Sequence, residues 1–389
     1  MIPKGAGRFS LALPVRRRIY LKYWRGYLTA AIFAAITFGL MQLGTQFSSL
    51  VDMVYPYVIR TGQTMLAQWS GGAEFVLWQV VVIAGIILAL ASLVLMVILK
   101  WNPVQWFGWV LAVISCVVML NTMVYGLNYY SGPLAEDIRL DVVEYNVDEL
   151  AEATTYYRDK ANALAQKVNR DENGDAAFSA FAQLAEQAGD GFEHLVYERS
   201  FPVFAGSTLP VKSLGWADWF TSQGITGVTV GLTGESAVNP QIPQVALPFT
   251  MAHEMAHRMC IAGERDGNFA AFLACSDNES PEYQYSAYFM AYKLCYDVLA
   301  SWDANTAARI QRGENELLYQ DLLTYKEFFA KSAGGALDAV ADQSVCDLLV
   351  SWHIQEVVLP SITVEIRPFD PLDESQVDLS GIVNAKPTE

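Results

Sequence analysis

His253, Glu254 and His257 form an HExxH pentapeptide in a chain that has only four histidines. On a helix, residues four apart lie about 40° apart around the axis and about 6 Å along it. Both imidazoles can therefore hold one metal ion, while Glu254 projects beside them toward a metal-bound water. Imidazole nitrogens with one carboxylate make a zinc-type ligand set. Catalysis needs a third protein ligand and an open position. On an uninterrupted helix Glu264 would stand about 10 Å beyond the histidines, so the chain must turn. Ile261-Ala262-Gly263 offers a helix-stopping glycine for that turn. A second helix from Glu264 puts Glu264 and Asn268 on one face, and the short return leaves Asp266 as a competing ligand. The plain alternative is a helix carrying two surface histidines.

Other elements must frame this helix. Gly227–Leu232 and Ser236–Val238 carry the β-branched pattern of two strands joined by a Thr-Gly-Glu turn. Such a hairpin ahead of the metal helix is either a strand-addition edge for extended peptide or a small stabilising element. Behind the motif, Ser280-Pro281-Glu282 starts a helix predicted over Pro281 to Trp302. Its Tyr285, Tyr288 and Tyr292 share one face, the pattern of core packing. Tyr285 or Tyr288 can alternatively donate to the oxyanion of a peptide substrate, with His353 a further donor. Upstream, the periodicity predicts one long amphipathic helix over Leu134 to Val168 and a second helical stretch from Asp175 to Glu198. Asn169 to Asp175 has the wrong spacing for a calcium loop and reads as a turn, with Asp175 capping the next helix. His194 reads as structural. Glu314 to Lys331 and Leu337 to Gln355 continue the helical content, and Pro360 to Glu389 turns extended, polar and acidic.

Glu264-Arg265-Asp266-Gly267-Asn268-Phe269-Ala270 resembles the ExxA(D/N)xxA segment of gluzincin-type metallopeptidases, among them CAAX-prenyl-protease-like and ImmA/IrrE-like enzymes. The resemblance implies Glu264 as third zinc ligand and Asn268 as a support that orients the ligands without binding the ion. Gly267, where alanine is usual, and the charged Arg258 depart from the pattern. Nearly the whole chain, from Tyr27 to the DLSGIVN segment at Asp378 to Asn384, also resembles an uncharacterised bacterial membrane-protein family. That family, one of the domains of unknown function, has three N-terminal membrane helices, an Asn-Tyr-Tyr run after the third and an HExxH domain.

The membrane part is legible from composition. Tyr27 to Phe47, Phe75 to Leu99 and Gln105 to Gly126 are each about 20 residues long and almost free of charge, as a bilayer span requires. Arg16, Arg17, Arg18, Lys22 and Arg25 precede the first span and Lys100 lies in the turn between the second and third, whereas the loop from Ser48 to Glu74 carries only Arg60. The positive-inside rule then puts the N-terminus in the cytoplasm and everything after Asn128 outside. The first span lacks an Ala-x-Ala-like exit and reads as an anchor. Trp101, Trp106, Tyr125, Tyr129 and Tyr130 flank the third span as interfacial anchors.

Residues 1–126 hold nine Lys/Arg and two Asp/Glu, and the remainder holds 16 and 39. So acidic a domain is repelled by nucleic acid, which is excluded as a partner. Cys260, Cys275, Cys295 and Cys346 form either two disulfides or four buried thiols, and no CxxC pair marks structural zinc.

The expected architecture is a membrane protein of three transmembrane α-helices plus an extracytoplasmic, mainly α-helical, zincin-like domain with a small β-hairpin. Its parts are a basic cytoplasmic N-terminus (1–26), a three-helix transmembrane region (27–128) and a metallopeptidase domain (129–389) outside the bacterial plasma membrane. The expected chemistry is Zn2+-dependent hydrolysis of a peptide or protein substrate with Glu254 as general base. The other function class open to such a chain is a catalytically silent, zinc-containing sensor or envelope scaffold.

Overall fold

The computed structural model describes residues 15–331 and 342–360, with side chains of the first helix from Tyr23 onward. The side chains of Arg16 to Lys22, the start of the Leu337 helix, the acidic tail beyond Pro360 and the DLSGIVN segment lie outside the described residues. The chain is mostly helical. Three helices are long and apolar enough to cross a membrane: Tyr23–Gln46 within α1 (Val15–Gln46), α3 (Leu77–Ile98) and α4 (Pro103–Val124). Helices α1 and α4 pack where Gly26 faces Gly108. A Cβ on Gly26 would overlap the Gly108 backbone, so glycine permits the close crossing.

Between α1 and α3, the expected loop is instead a helix, α2 (Ser48–Gly71). Its buried residues Pro56, Arg60, Gln63, Ala67 and Ser70 recur at spacings of three and four. This period is the helical signal that the low charge of the segment concealed.

The expected long helix over Leu134 to Val168 is two helices, α5 (Leu134–Asp137) and α6 (Val147–Ala165). Arg139 takes a left-handed φ of 57° and Leu140 N–H closes onto Ala135 O, which ends α5. The helix restarts at a capping box in which Asn146 and Glu149 each serve the other's backbone N–H. The second stretch begins later than expected, with α7 (Phe181–Gln187) and α8 (Asp190–Tyr197). Asp175 does not cap α7; it accepts hydrogen bonds from Gln320 and Thr324. The 171–175 turn is organised by Asp171, which accepts the Asn173 and Asp175 N–H groups.

The hairpin is present as β2 (Gly227–Val230) antiparallel to β3 (Glu235–Val238), with Gly234 at a φ of 66° in its turn. A further strand, β1 (Lys212–Ser213), pairs parallel to β3, giving a three-stranded sheet in the order β1-β3-β2. A short helix, α9 (Ala217–Ser222), links β1 to β2.

The main core gathers α6, α8 and five further helices. These are α10 (Leu247–Arg258), α11 (Glu264–Ser276), α12 (Pro281–Trp302), α14 (Glu316–Ala330) and α15 (Gln343–His353), with α13 (Ala304–Gln311) on its flank. Gly191 lets α8 lie against α11, because a side chain there would overlap the Ala274 carbonyl. Cys260, Cys275, Cys295 and Cys346 are buried free thiols. His194 is structural in its contacts, with Nδ1 3.1 Å from the Asp277 carbonyl.

Candidate metal centre

Helix α10 starts with a proline in its first turn and carries His253, Glu254 and His257. The residue that turns the chain is Cys260, at a left-handed φ of 74°, and not Gly263, whose φ of −73° is ordinary. Ile261 N–H closes back onto Ala256 O at 3.1 Å. Gly263 serves instead as the residue ahead of α11, whose first residue is Glu264.

The turn brings Glu264 across from both histidines. His253 Nε2 lies 3.2 Å from Glu264 Oε2, and His257 Nε2 lies 3.6 Å from Glu264 Oε1. One ligand atom from each residue lies within 4.8 Å of the others, the one such His/Cys/Asp/Glu group among the described residues. Two ligands bound about 2.0–2.1 Å from a tetrahedral zinc stand about 3.3 Å apart, so the two His–Glu spacings suit that ion. The nitrogen chemistry fits as well. His257 Nδ1 lies 2.8 Å from the Ile261 carbonyl. That contact puts the proton on Nδ1 and leaves the Nε2 lone pair facing Glu264, the orientation a metal ligand needs. When protonated, the His253 and His257 rings donate to Glu264 and, against partial burial, hold its carboxyl well below the usual carboxylate range; in the neutral ring His257 Nε2 is instead free to ligate.

Gly267 has a spatial reason. A Cβ there would stand 3.1 Å from His253 Cε1 and 3.2 Å from His257 Cε1, so glycine lets α11 close on the two rings. Arg258 is accommodated by burial. It points away from the ligands and donates to the carbonyls of Ser207 and Leu209, fixing that loop, and burial lowers its pKa to about 10.

Glu254 is 5% exposed and sits under the sheet. Thr229 Oγ1 donates to Glu254 Oε2 at 2.6 Å, while Ser236 Oγ donates to the Glu254 carbonyl at 2.7 Å. A side chain on Gly227 would overlap the Glu254 carboxylate, so β2 fits this acid only with glycine there. Burial raises the Glu254 pKa, against the pull of His253, His257 and Thr229. The sheet is thus what positions the acid, and β2 is its edge strand.

Of the other sequence-derived residues, Asp266 is turned away. Its Oδ2 accepts Leu134 N–H at 3.1 Å and its Oδ1 pairs with Arg265 at 2.8 Å. Asn268 lines the cleft with His253, Glu264 and Thr250, a space of about 800 Å³. It makes no hydrogen bond to either imidazole among the described contacts, and His257 is oriented by the Ile261 carbonyl instead. Tyr285 is fully buried and donates to Asp321, away from the ligands. Tyr288 packs against Tyr156, Tyr157 and Phe272. His353 is buried beside Tyr156, with ring centroids 4.7 Å apart.

The residues that sequence reasoning assigned elsewhere are Tyr125 and Tyr129, read as membrane anchors. Tyr125 is buried against Gly231, where a Cβ would overlap its ring. Burial raises the Tyr125 pKa, and the charges of Tyr129, Cys260, Glu254 and Glu264 raise it further. Tyr129, which stacks edge-on against Tyr125 at 6.2 Å, also feels Glu264. The Asn-Tyr-Tyr run was the available signal, but nothing local says which side of the interface its neighbours face.

No curated protein and no solved structure matches the chain. A family model does, over residues 51–349, under the description "Protein of unknown function (DUF3810)". That match takes in α2 from Val51 onward, the last two apolar helices, the sheet and the whole His-His-Glu constellation, and the chain therefore belongs to this family.

Proposed function

We propose that the protein is a membrane-anchored, zinc-dependent metallopeptidase that hydrolyses peptide bonds outside the cytoplasm. The observation that carries this reading is the convergence of His253, His257 and Glu264 on one point beside the buried Glu254. The extracytoplasmic placement rests on the positive-inside rule alone. Bound between those three residues, zinc supplies Lewis-acid polarisation and a lowered pKa for water. Glu254 Oε1, which Thr229 does not bond, takes a proton from the attacking water and returns it to the leaving amine. The outer edge of β2 offers backbone donors and acceptors to an extended peptide, which fixes the scissile bond over the ligands. We assign the donor to the developing oxyanion to Tyr125, whose ring packs on Gly231 at the end of β2.

The test is metal analysis and peptide-library profiling of the full-length protein, each paired with Glu254→Gln. A zinc-containing sensor or scaffold would bind metal and cleave nothing in either form.

The ligand set makes its own prediction. Wild-type protein should hold about one zinc per chain, as a three-ligand site with one open position requires. His253→Ala and Glu264→Ala should lose most of it, whereas Asp266→Ala should keep it. Full zinc occupancy in His253→Ala would place the metal elsewhere.

A pair of tyrosine variants separates catalysis from packing. Tyr125→Phe should lower turnover by about 10²–10³-fold, the usual cost of an oxyanion donor, with unchanged zinc content. Tyr285→Phe should leave the turnover of folded protein intact and lower thermal stability, because Asp321 loses a buried donor. The reverse pattern would move the donor role to α12.

A further inference from the structure

Helix α2 is inverted for a helix on a soluble surface. Its buried side carries Arg60, Gln63 and Ser70 beside Pro56 and Ala67, and its outward side carries Met53, Tyr57, Val58, Met65 and Trp69, all more than 60% exposed, with Thr61 and Gln68 as uncharged polar neighbours. The helix has two charged residues, and both are engaged by the protein. Arg60 donates to the Met259 carbonyl at 3.1 Å and to Pro202 O at 3.3 Å, and Asp52 accepts Gly132 N–H at 2.9 Å. The outward stripe is therefore uncharged along its length. An apolar stripe of this size facing water costs free energy, and such a face marks a contact surface.

The helix is also pinned at both ends. One residue separates it from α1, and five separate it from α3. Helices α1 and α3 are both membrane-crossing by length and composition. A helix joined that closely to two spans at the same membrane surface must run along that surface.

The body above is seated at the same level. Glu235 accepts the N–H groups of Leu77 and Trp78 at 2.8 and 2.9 Å, capping the first turn of α3 from strand β3. Gln79, one residue further into α3, exchanges two hydrogen bonds with the backbone of Gly215. Trp216 and Trp219, which follow it, are 53% and 55% exposed, the placement of interfacial indoles.

We propose that α2 is an in-plane interfacial helix, its Met53, Tyr57, Val58, Met65 and Trp69 face sunk between lipid headgroups and upper acyl chains. Its buried face then ties the end of the metal helix, through Arg60 and Met259, to the bilayer surface. The proposal rests on the spanning reading of α1 and α3 and is independent of the peptidase reading. With no Lys or Arg on the outward face, the attraction is apolar burial, not headgroup charge.

The test uses full-length protein in phosphatidylcholine–phosphatidylglycerol vesicles. Cys116 is replaced by alanine, since the other four cysteines are buried. Spin labels are placed one at a time through Met65→Cys and Trp69→Cys. Lys326→Cys reports the water-facing side and Leu88→Cys the lipid-facing middle of α3. Collision with oxygen should exceed collision with an aqueous nickel chelate at 65 and 69, at a depth of about 5–10 Å below the phosphates. Lys326 should show the opposite preference. Labels at 65 and 69 that behave like Lys326 would overturn the proposal. So would labels shielded from both reagents, the signature of a second protein surface covering α2. A water-exposed Leu88 label would remove the span on which the proposal rests, and the proposal with it.

Discussion

Glu254→Gln in the full-length protein should keep zinc at its wild-type level and lower peptide hydrolysis by about 10²–10⁴-fold, the usual loss when a positioned base is removed. The substitution is close to isosteric, and its neighbours can accept it. Thr229 Oγ1 now donates to Glu254 Oε2 and can donate equally to an amide oxygen. Gly227 leaves the same room for the side chain. Folding should therefore be undisturbed, and the ligands His253, His257 and Glu264 are not altered. What disappears is the basicity of a carboxylate whose pKa burial has already raised. A raised pKa makes it a better match to a proton taken near neutral pH. The measurement is turnover against the peptides found by profiling, with zinc content determined on the same preparation. Equal cleavage by the Gln variant on every peptide the parent cleaves would remove Glu254 from the mechanism. Loss of zinc together with activity would make it a structural neighbour of the ligands.

The part of this site legible in the sequence is the part set by helix geometry. His253 and His257 share a face because they are four apart, and Glu264 can reach them only if the chain turns at once. The structure has that turn, though Cys260 makes it where Gly263 was the obvious choice. A cysteine in the left-handed region carries no sequence signal, because the conformation is imposed by the closure of Ile261 onto Ala256. Tyr125 was out of reach for a different reason. Its packing on Gly231 crosses more than a hundred residues of chain, and an aromatic at the end of a span looks the same whether it faces lipid or protein. In the sequence α2 looks like a loop between spans, because its low charge hides the helical period. Its polarity runs opposite to that of a soluble helix, with Arg60 and Gln63 turned inward. The split at Arg139 likewise lacks a glycine or proline to announce it, and only the Asn146–Glu149 box marks where α6 begins.

Asp321→Ala should be the most destabilising single change outside the metal centre, lowering stability by about 3–5 kcal/mol, the usual cost of breaking a buried ion pair from one side. The carboxylate is 2% exposed and collects three donors: Arg170 Nη1 at 2.6 Å, the Ala176 N–H at 2.9 Å and the Tyr285 hydroxyl. These come from the 170–176 turn and from α12, so one side chain of α14 ties three separated segments together. Removing it strands a guanidinium at a site 15% exposed, along with a buried phenol and a backbone N–H. The phenol and the N–H lose their partner without regaining water, and the guanidinium loses its counter-charge while keeping the Ala165 and Gly174 carbonyls. The proposed ligands His253, His257 and Glu264 are not among those partners, so zinc per folded chain should stay at the wild-type value while the unfolding midpoint falls. Arg170→Met combined with Asp321→Leu should recover part of the loss, because replacing both members of a buried pair with apolar groups removes the stranded charge. The measurement is denaturant unfolding of the full-length protein in detergent, followed by tryptophan emission, for Asp321→Ala and the double variant. A loss below about 1 kcal/mol for Asp321→Ala would place this pair with ordinary surface salt bridges, and water would then have to reach Arg170.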